Sequence, residues 1–210
     1  MENPSASPSS PSYSAKFCLK LPVIFSDEIL NRISRRTTDG FNLIPCQLLD
    51  NDSTSRDSRV CYTLPVAGSP KLFLTQRVDN HADLGDFEIC NRYNVDNTGI
   101  VCQWPSEDVL AFFCLSNAEM FRSKRVIELG SGYGLAGLVI AATTEALEVV
   151  ISDGNPQVVD CILLIDIQLN IDSNSGVFGG TRVKSMTLHW NQEDLSDLFN
   201  SFDVIVASDW

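Results

Sequence analysis

The sequence lacks both a long apolar run and a signal for secretion. Its longest apolar run near the glycine-rich centre of the chain, residues 135–142, is too short to span a bilayer. The N-terminus shows no positively charged segment followed by an apolar one, as a secretory signal would. We therefore expect neither a membrane protein nor a secreted one.

Paired cysteines are also lacking. The chain has 7 cysteines, an odd number, widely spaced and without a Cys-x-x-Cys pair. This spacing argues against a disulfide framework and against a zinc site, and it favours a reducing compartment. We expect no bound metal, and a location in the cytoplasm with the nucleus as a second compartment.

Cations are scarce in the second half of the chain. The net charge is −12, and residues 128–210 hold 2 Lys and Arg against 12 Asp and Glu. Nucleic-acid binding needs a basic surface for the phosphates, which this half lacks. The composition therefore favours a small molecule or a protein as the partner.

Three regions differ in pattern. Residues 1–15 are rich in Ser and Pro, and we expect them to be disordered. The pattern of short β-rich runs in residues 16–98 predicts a β-rich extension. The remainder, 99–210, holds the apolar strands and helices of the main domain.

Within the extension, residues 17–36 have the pattern of a short helix that Ser26 would cap. Short β-rich runs follow at 41–49, 60–64 and 71–78. A basic cluster lies in the helical stretch; it is either a solvated surface or a contact for an acidic partner, and its members are Arg32, Arg35 and Arg36.

Residues 125–137 carry the strongest signal. An apolar strand containing Glu128 runs into Gly130, Ser131, Gly132 and then a third glycine at 134, and a helix of small residues follows. Alternating glycines let the backbone turn sharply and approach a ligand, and the N–H groups of the next helix face the same point. A dinucleotide site would need glycine at position 135, which is Leu here. A glycine-rich turn without a ligand remains the other interpretation.

Two further residues have positions suited to a nucleotide ligand. Asp153 ends the next apolar strand, 19 residues after Gly134, where a doubly wound fold places a carboxylate on both ribose hydroxyls. Trp104 stands just before a helix whose start is marked by Pro105 and the acids Glu107 and Asp108. That Trp is either part of the core or an aromatic wall for a flat ligand.

Taken together, these motifs resemble the protein-lysine methyltransferases of the seven-strand class, which use S-adenosylmethionine. Besides the Glu-x-Gly-x-Gly-x-Gly loop, the resemblance rests on Asp-Asn-Thr-Gly at 96–99, Trp-Pro-Ser-Glu at 104–107, Val-Leu-Ala at 109–111 and Asp-Gly-Asn at 153–155. Trp190 after the third strand and Ser208 and Asp209 after the fourth complete it. The segments are most similar to those of family members that methylate calmodulin.

The resemblance implies a fold, a cofactor and a partner. It implies a Rossmann-like α/β sheet of which this sequence holds strands 3-2-1-4, without 5-7-6. It implies methylation of a lysine amine of calmodulin by S-adenosylmethionine, with Asp209 holding or deprotonating the lysine. The implied cofactor residues are Trp104, Glu128, Gly130, Ser131, Gly132, Asp153, Trp190 and Ser208. An inactive form that only binds the cofactor or a partner is the alternative.

The last strand of this sequence, residues 202–207, is apolar enough to lie inside a parallel sheet. With no strand after it, one whole edge of that strand would keep unpaired N–H and C=O groups. We therefore expect the 210-residue chain to be poorly soluble and to turn over little substrate.

Overall fold

The computed structural model describes residues 17–19, 42–49, 57–68, 70–77, 104–154, 167–189 and 196–208. Within these ranges the chain forms two sheets and three α-helices. The strands are β1 (Phe17–Leu19), β2 (Cys46–Leu48), β3 (Asp57–Thr63), β4 (Lys71–Arg77), β5 (Arg125–Leu129), β6 (Glu148–Asp153), β7 (Arg182–Thr187) and β8 (Val204–Ala207). The helices are α1 (Pro105–Ser116), α2 (Leu135–Thr143) and α3 (Ile167–Asn174), with short 3-10 turns at Ala118–Phe121, Ser175–Val177 and Ser196–Leu198.

The larger sheet has five parallel strands in the order β1-β8-β5-β6-β7. Starting from β7, the strands β7-β6-β5-β8 have the predicted order 3-2-1-4. The α/β fold class is therefore confirmed. The central strands are apolar on both sides because helices cover both faces of such a sheet. In β6, for example, Val149, Val150 and Ile151 are all buried.

The edge of β8 differs from the expectation. Phe17–Leu19, which belongs to the stretch 17–36 where a short helix capped by Ser26 was predicted, forms β1 and pairs in parallel with Val204, Ile205 and Val206. The prediction of a wholly unpaired edge on the last strand is therefore wrong. Periodicity does not separate a strand from a helix in an apolar run this short. The free N–H and C=O groups along β8 favour the strand, because they offer hydrogen bonds that a helix would leave unmade.

The smaller sheet has three antiparallel strands in the order β2-β3-β4, as the β-rich pattern predicted. Its inner face joins the hydrophobic core of the larger sheet through Val60, Tyr62, Leu72 and Leu74, each at most 5% exposed. The three strands are thus held to the main domain by a shared core and not by chain connection alone.

Two asparagines of α3 attach this sheet to the main domain. The side chain of Asn174 accepts from the Phe73 N–H at 2.8 Å and donates to the Phe73 C=O at 2.8 Å. One turn earlier, Asn170 makes the same pair of bonds with Thr75, at 2.8 and 3.3 Å. The amides take the place of a neighbouring strand, so the outer edge of β4 is hydrogen-bonded as it passes under α3.

Helix α1 begins at Pro105, as predicted, because proline has no N–H to leave unpaired at a first helical position. It packs on α2 through Leu110, Ala111 and Cys114, which are buried. Helix α2 is buried from Leu135 to Ala141, which explains why its sequence is almost wholly apolar. These two helices enclose the turn between β5 and α2.

Some predictions fall on residues outside the described ranges. They concern the tail at 1–15, the basic cluster Arg32, Arg35 and Arg36, and the site residues Trp190 and Asp209. The division into 1–15, 16–98 and 99–210 stays a prediction, although β1 of the middle region belongs to the larger sheet. Where helices are described, none is long and apolar enough to cross a membrane.

Replacing Asn174 by Ala should lower the free energy of unfolding by about 1–3 kcal/mol, because the Phe73 N–H and C=O lose their partners in a half-buried place. Urea unfolding followed by far-UV circular dichroism measures the loss. Ser173→Ala, on the exposed side of the same helix, is the matched control and should change stability little. Equal stabilities of the two variants would contradict the proposed attachment.

Candidate functional site

Three of the predicted site residues lie at the carboxyl edge of the larger sheet. Leu129 at the end of β5 lies between Ser152 of β6 and Ala207 of β8. The residues that follow, Gly130, Asp153 and Ser208, therefore leave three neighbouring strands at one edge. Open α/β sheets bind ligands at this edge, beyond the ends of the parallel strands.

The turn after β5 has a backbone that only glycine adopts readily. Gly130, Gly132 and Gly134 have φ angles of 60°, 54° and 84°, all in the left-handed region. Gly134 precedes α2, and the Leu138 N–H closes the first helical bond onto its carbonyl at 3.0 Å. The three glycines thus shape a concave turn, here called the cradle (residues 130–134), followed at once by a helix N-terminus.

Glu128 holds the turn from beneath. Its carboxylate is buried and accepts the Gly137 N–H from the first turn of α2 at 2.8 Å. A Cβ on Gly137 would lie 2.7 Å from that carboxylate and 2.6 Å from Ile151, so only glycine permits this approach. Burial, opposed by the Gly137 hydrogen bond and reinforced by the charge of Asp153, raises the pKa of Glu128 to about 8. Glu128 therefore joins β5 to the first turn of α2, and its predicted role in binding the cofactor stays a prediction.

Asp153 also contacts the turn. Its Oδ2 accepts the Gly132 N–H at 3.1 Å, and the neighbouring Ser131 N–H donates to the Ser152 carbonyl at 3.0 Å. Asp153 is partly exposed, so the carboxylate lies at the surface of the cradle and not in the core. The placement agrees with a carboxylate that meets a ligand, and its predicted bond to a ribose stays a prediction.

Sequence reasoning missed Glu107 as a site residue. Its carboxylate reaches from the first turn of α1 to Gly132 so closely that a Cβ on Gly132 would collide with Oε1. The side chain is 5% exposed, and its Oε2 has no hydrogen-bond partner among the described residues. Burial, with the negative charges of Glu128, Asp108 and Asp153, raises the pKa of Glu107 well above its usual range.

In the sequence, Glu107 belonged to the Trp-Pro-Ser-Glu segment of the resemblance, but as an acid in a first helical turn it was explained by the helix dipole without a ligand. Its contact with Gly132 depends on how α1 packs, and no local pattern shows that.

The cradle contains further polar atoms that a ligand would satisfy. The Ser131 hydroxyl is buried and has no partner within the described part of the chain. Buried polar groups are rarely left unpaired in folded proteins. With the free Oε2 of Glu107 and the open glycine turn, this fits a ligand carrying both donors and acceptors. In the same ranges, no group of three or more His, Cys, Asp and Glu could hold a metal ion.

The other predicted residues lie near the cradle or outside the described ranges. Trp104 is 38% exposed and directly precedes α1, three residues before Glu107, so it is not a core residue. Ser208 follows β8 and is partly exposed. Positions 190 and 209 are not described, so the roles assigned to Trp190 and Asp209 stay predictions.

Comparison with known proteins gives the family. A family model described as lysine methyltransferase matches residues 89–210, which include the whole cradle. A calmodulin-lysine N-methyltransferase of Arabidopsis thaliana is 70% identical over 181 residues, 85% of this chain and 58% of the relative. A human protein-lysine N-methyltransferase, EEF2KMT, is 30% identical over 118 residues, 53% of this chain and 35% of the relative. The chain thus spans little more than half of the first relative's length.

Glu128 should make stability fall as the pH rises. Its pKa is 4.5 in an unfolded chain and about 8 in the folded one, so between these values the folded state binds more protons than the unfolded state. The contribution is complete below about 4.5 and is lost as the pH rises to about 8. Relative to Glu128→Gln, the wild type should lose on the order of 1 kcal/mol per pH unit in this window. Urea titrations at several pH values measure it; parallel profiles for the two proteins would refute a raised pKa.

Proposed function

Since this chain belongs to the lysine methyltransferase family, we propose that it binds S-adenosylmethionine in the glycine cradle and methylates a lysine side chain of calmodulin. The observation that carries the cofactor assignment is the meeting of three left-handed glycines with the Asp153 and Glu128 carboxylates at the carboxyl edge of the sheet. The substrate assignment rests on the name of the Arabidopsis relative.

In this proposal, different residues of the chain bind different parts of the cofactor. Gly130, Ser131 and Gly132 take its methionine end, because their backbone and the unpartnered Ser131 hydroxyl line the cradle. The partly exposed Asp153 carboxylate takes the ribose hydroxyls. Trp104, Trp190 and Ser208 line the rest of the pocket. Trp104, exposed beside α1, offers the flat face that an adenine ring would stack on.

When bound, S-adenosylmethionine supplies an electrophilic methyl carbon on a sulfonium: the lysine nitrogen bonds to that carbon, the carbon–sulfur bond breaks, and the amine loses a proton. A free lysine has a pKa of about 10.4, so the site must remove a proton before attack. In the sequence, Asp209 follows the last residue of β8 by two positions. We assign it to holding the lysine and taking that proton.

The partners follow from the same proposal. The substrate is a protein, and no nucleic acid or membrane is involved, in agreement with the 2 cations among residues 128–210. The spacing of the seven cysteines, which does not suggest disulfide pairs, is consistent with a protein that acts in the cytoplasm, with the nucleus as a second compartment.

The direct test is methyl transfer by the 210-residue chain. Bacterially produced calmodulin, incubated with the chain and S-adenosylmethionine, should gain methyl groups on a lysine, read by mass spectrometry of its peptides. Calmodulin with acetylated lysines should gain none. Binding of S-adenosylhomocysteine without any transfer would leave a cofactor-binding module, and binding of NAD in its place would remove the methyltransferase proposal.

Asp153→Ala should weaken S-adenosylhomocysteine binding by about 1.5–3 kcal/mol, as for the loss of hydrogen bonds to a charged group. Isothermal titration calorimetry measures the change. Asp153→Asn keeps an oxygen for the Gly132 N–H, so it separates ribose binding from support of the turn. Asp172→Ala, an exposed acid of α3, is the control. An unchanged dissociation constant in Asp153→Ala would remove Asp153 from the site.

A further inference from the structure

We propose that Glu107 binds the α-ammonium group of the cofactor and so selects ligands that carry an amino-acid group over those that carry only the nucleoside. This inference rests on the proposed use of S-adenosylmethionine and adds to that site a residue on a separate element, helix α1. No motif of the glycine loop includes Glu107.

The position of the Glu107 carboxylate puts it within reach of a ligand in the cradle. The Glu107 carboxylate lies against Gly132, at the middle of the cradle, while 5% of the residue is exposed. Its Oε2 has no hydrogen-bond partner in the described ranges. Leaving a buried carboxyl oxygen unpaired is unfavourable, and the cost is removed when a ligand brings a donor to it.

The charges around Glu107 also favour a cationic ligand. The ionisable groups that act on its carboxyl are Asp108 on the same helix, Glu128 on β5 and Asp153 on β6. The fourth neighbour, Tyr133 in the turn, is itself buried and accepts the Arg77 N–H at 3.2 Å. The negative charge that these carboxyl groups carry favours a cation beside Glu107.

Hydrogen bonding favours the ammonium over the sulfonium as the cation that Glu107 binds. A sulfonium has positive charge but no N–H or O–H, so it leaves the Glu107 oxygen without a hydrogen bond. An α-ammonium has three N–H donors. The residue before Gly132, Ser131, has a buried hydroxyl that also lacks a partner. An amino-acid group satisfies both, because its ammonium donates to Glu107 while its carboxylate accepts from Ser131.

A purely structural role for Glu107 is the competing explanation. A protonated Glu107 would then only fill the space between α1 and Gly132. The two explanations differ in what happens to a proton. If Glu107 meets an ammonium, the nearby positive charge lowers the pKa of Glu107 and favours release of a proton when the ligand binds. A spacer keeps its proton with or without the ligand.

The test compares two ligands by calorimetry on the whole 210-residue chain. S-adenosylhomocysteine carries the amino-acid group, and 5′-methylthioadenosine keeps the nucleoside and the thioether without it. Glu107→Gln should weaken the binding of S-adenosylhomocysteine about 10–100-fold, as expected for losing a charged hydrogen bond. Binding of 5′-methylthioadenosine should stay within about twofold, because its atoms do not reach Glu107.

Proton release gives a second readout. Titrations in two buffers of different ionisation enthalpy should show that the wild type releases a proton on binding S-adenosylhomocysteine and that Glu107→Gln releases fewer. The affinity of the wild type should therefore rise with pH, and that of the variant should rise less. Glu119→Gln, which removes the charge of a surface carboxylate that is 78% exposed and paired with Arg122, is the control and should behave as the wild type.

One arm needs no variant, in case Glu107→Gln does not fold. An S-adenosylhomocysteine analogue with a hydroxyl in place of the α-amino group should bind the wild type at least about tenfold more weakly and release no proton.

Three outcomes would overturn the proposal. Equal weakening of both ligands by Glu107→Gln would mean that Glu107 only shapes the turn. Unchanged binding of S-adenosylhomocysteine would remove Glu107 from the site and leave the methyltransferase proposal intact. Failure of the wild type to bind S-adenosylhomocysteine at all would refute the cofactor assignment itself, and this inference with it.

Discussion

The hydrogen bond from the Gly137 N–H to the buried Glu128 carboxylate is the contact on which the rest of the site depends. It joins β5 to the first turn of α2 at 2.8 Å, so the intervening glycines must close into one compact turn. That closure requires glycine at 137, where a Cβ would meet both Glu128 and Ile151. A carboxyl group buried this deeply also favours its own protonated form, which links the shape of the turn to pH.

The same turn is coupled to the smaller sheet. Asn170, which holds Thr75 of β4, also donates to the Tyr133 carbonyl in the turn at 3.2 Å. The Tyr133 hydroxyl accepts the Arg77 N–H at the end of β4 at 3.2 Å. The antiparallel strands are therefore not an independent appendage. Their strand β4 is connected to the glycine turn through Asn170 and Tyr133, so a change in its position would also move the turn.

The sequence allowed prediction of features that local pattern determines. The glycine turn and the start of α1 at Pro105 follow from residue types at short spacing, whereas the strand order through β8 was implied by the resemblance to the lysine methyltransferases. Contacts between distant segments were not predictable in this way. Glu107 reaches Gly132 only because α1 packs on α2, and β1 pairs with β8 across most of the chain. The amide bonds of Asn170 and Asn174 to β4 likewise join residues about 100 positions apart.

The central claim is that the glycine turn is the binding site of S-adenosylmethionine. A crystal structure of the chain with S-adenosylhomocysteine tests it most directly. The account predicts the ligand across the carboxyl edge of the sheet, with its ribose hydroxyls on Asp153, its amino-acid group between Ser131 and Glu107, and no change in the bond from Gly137 to Glu128. A ligand bound elsewhere, or one at this edge with its amino-acid group turned away from the glycines, would contradict it.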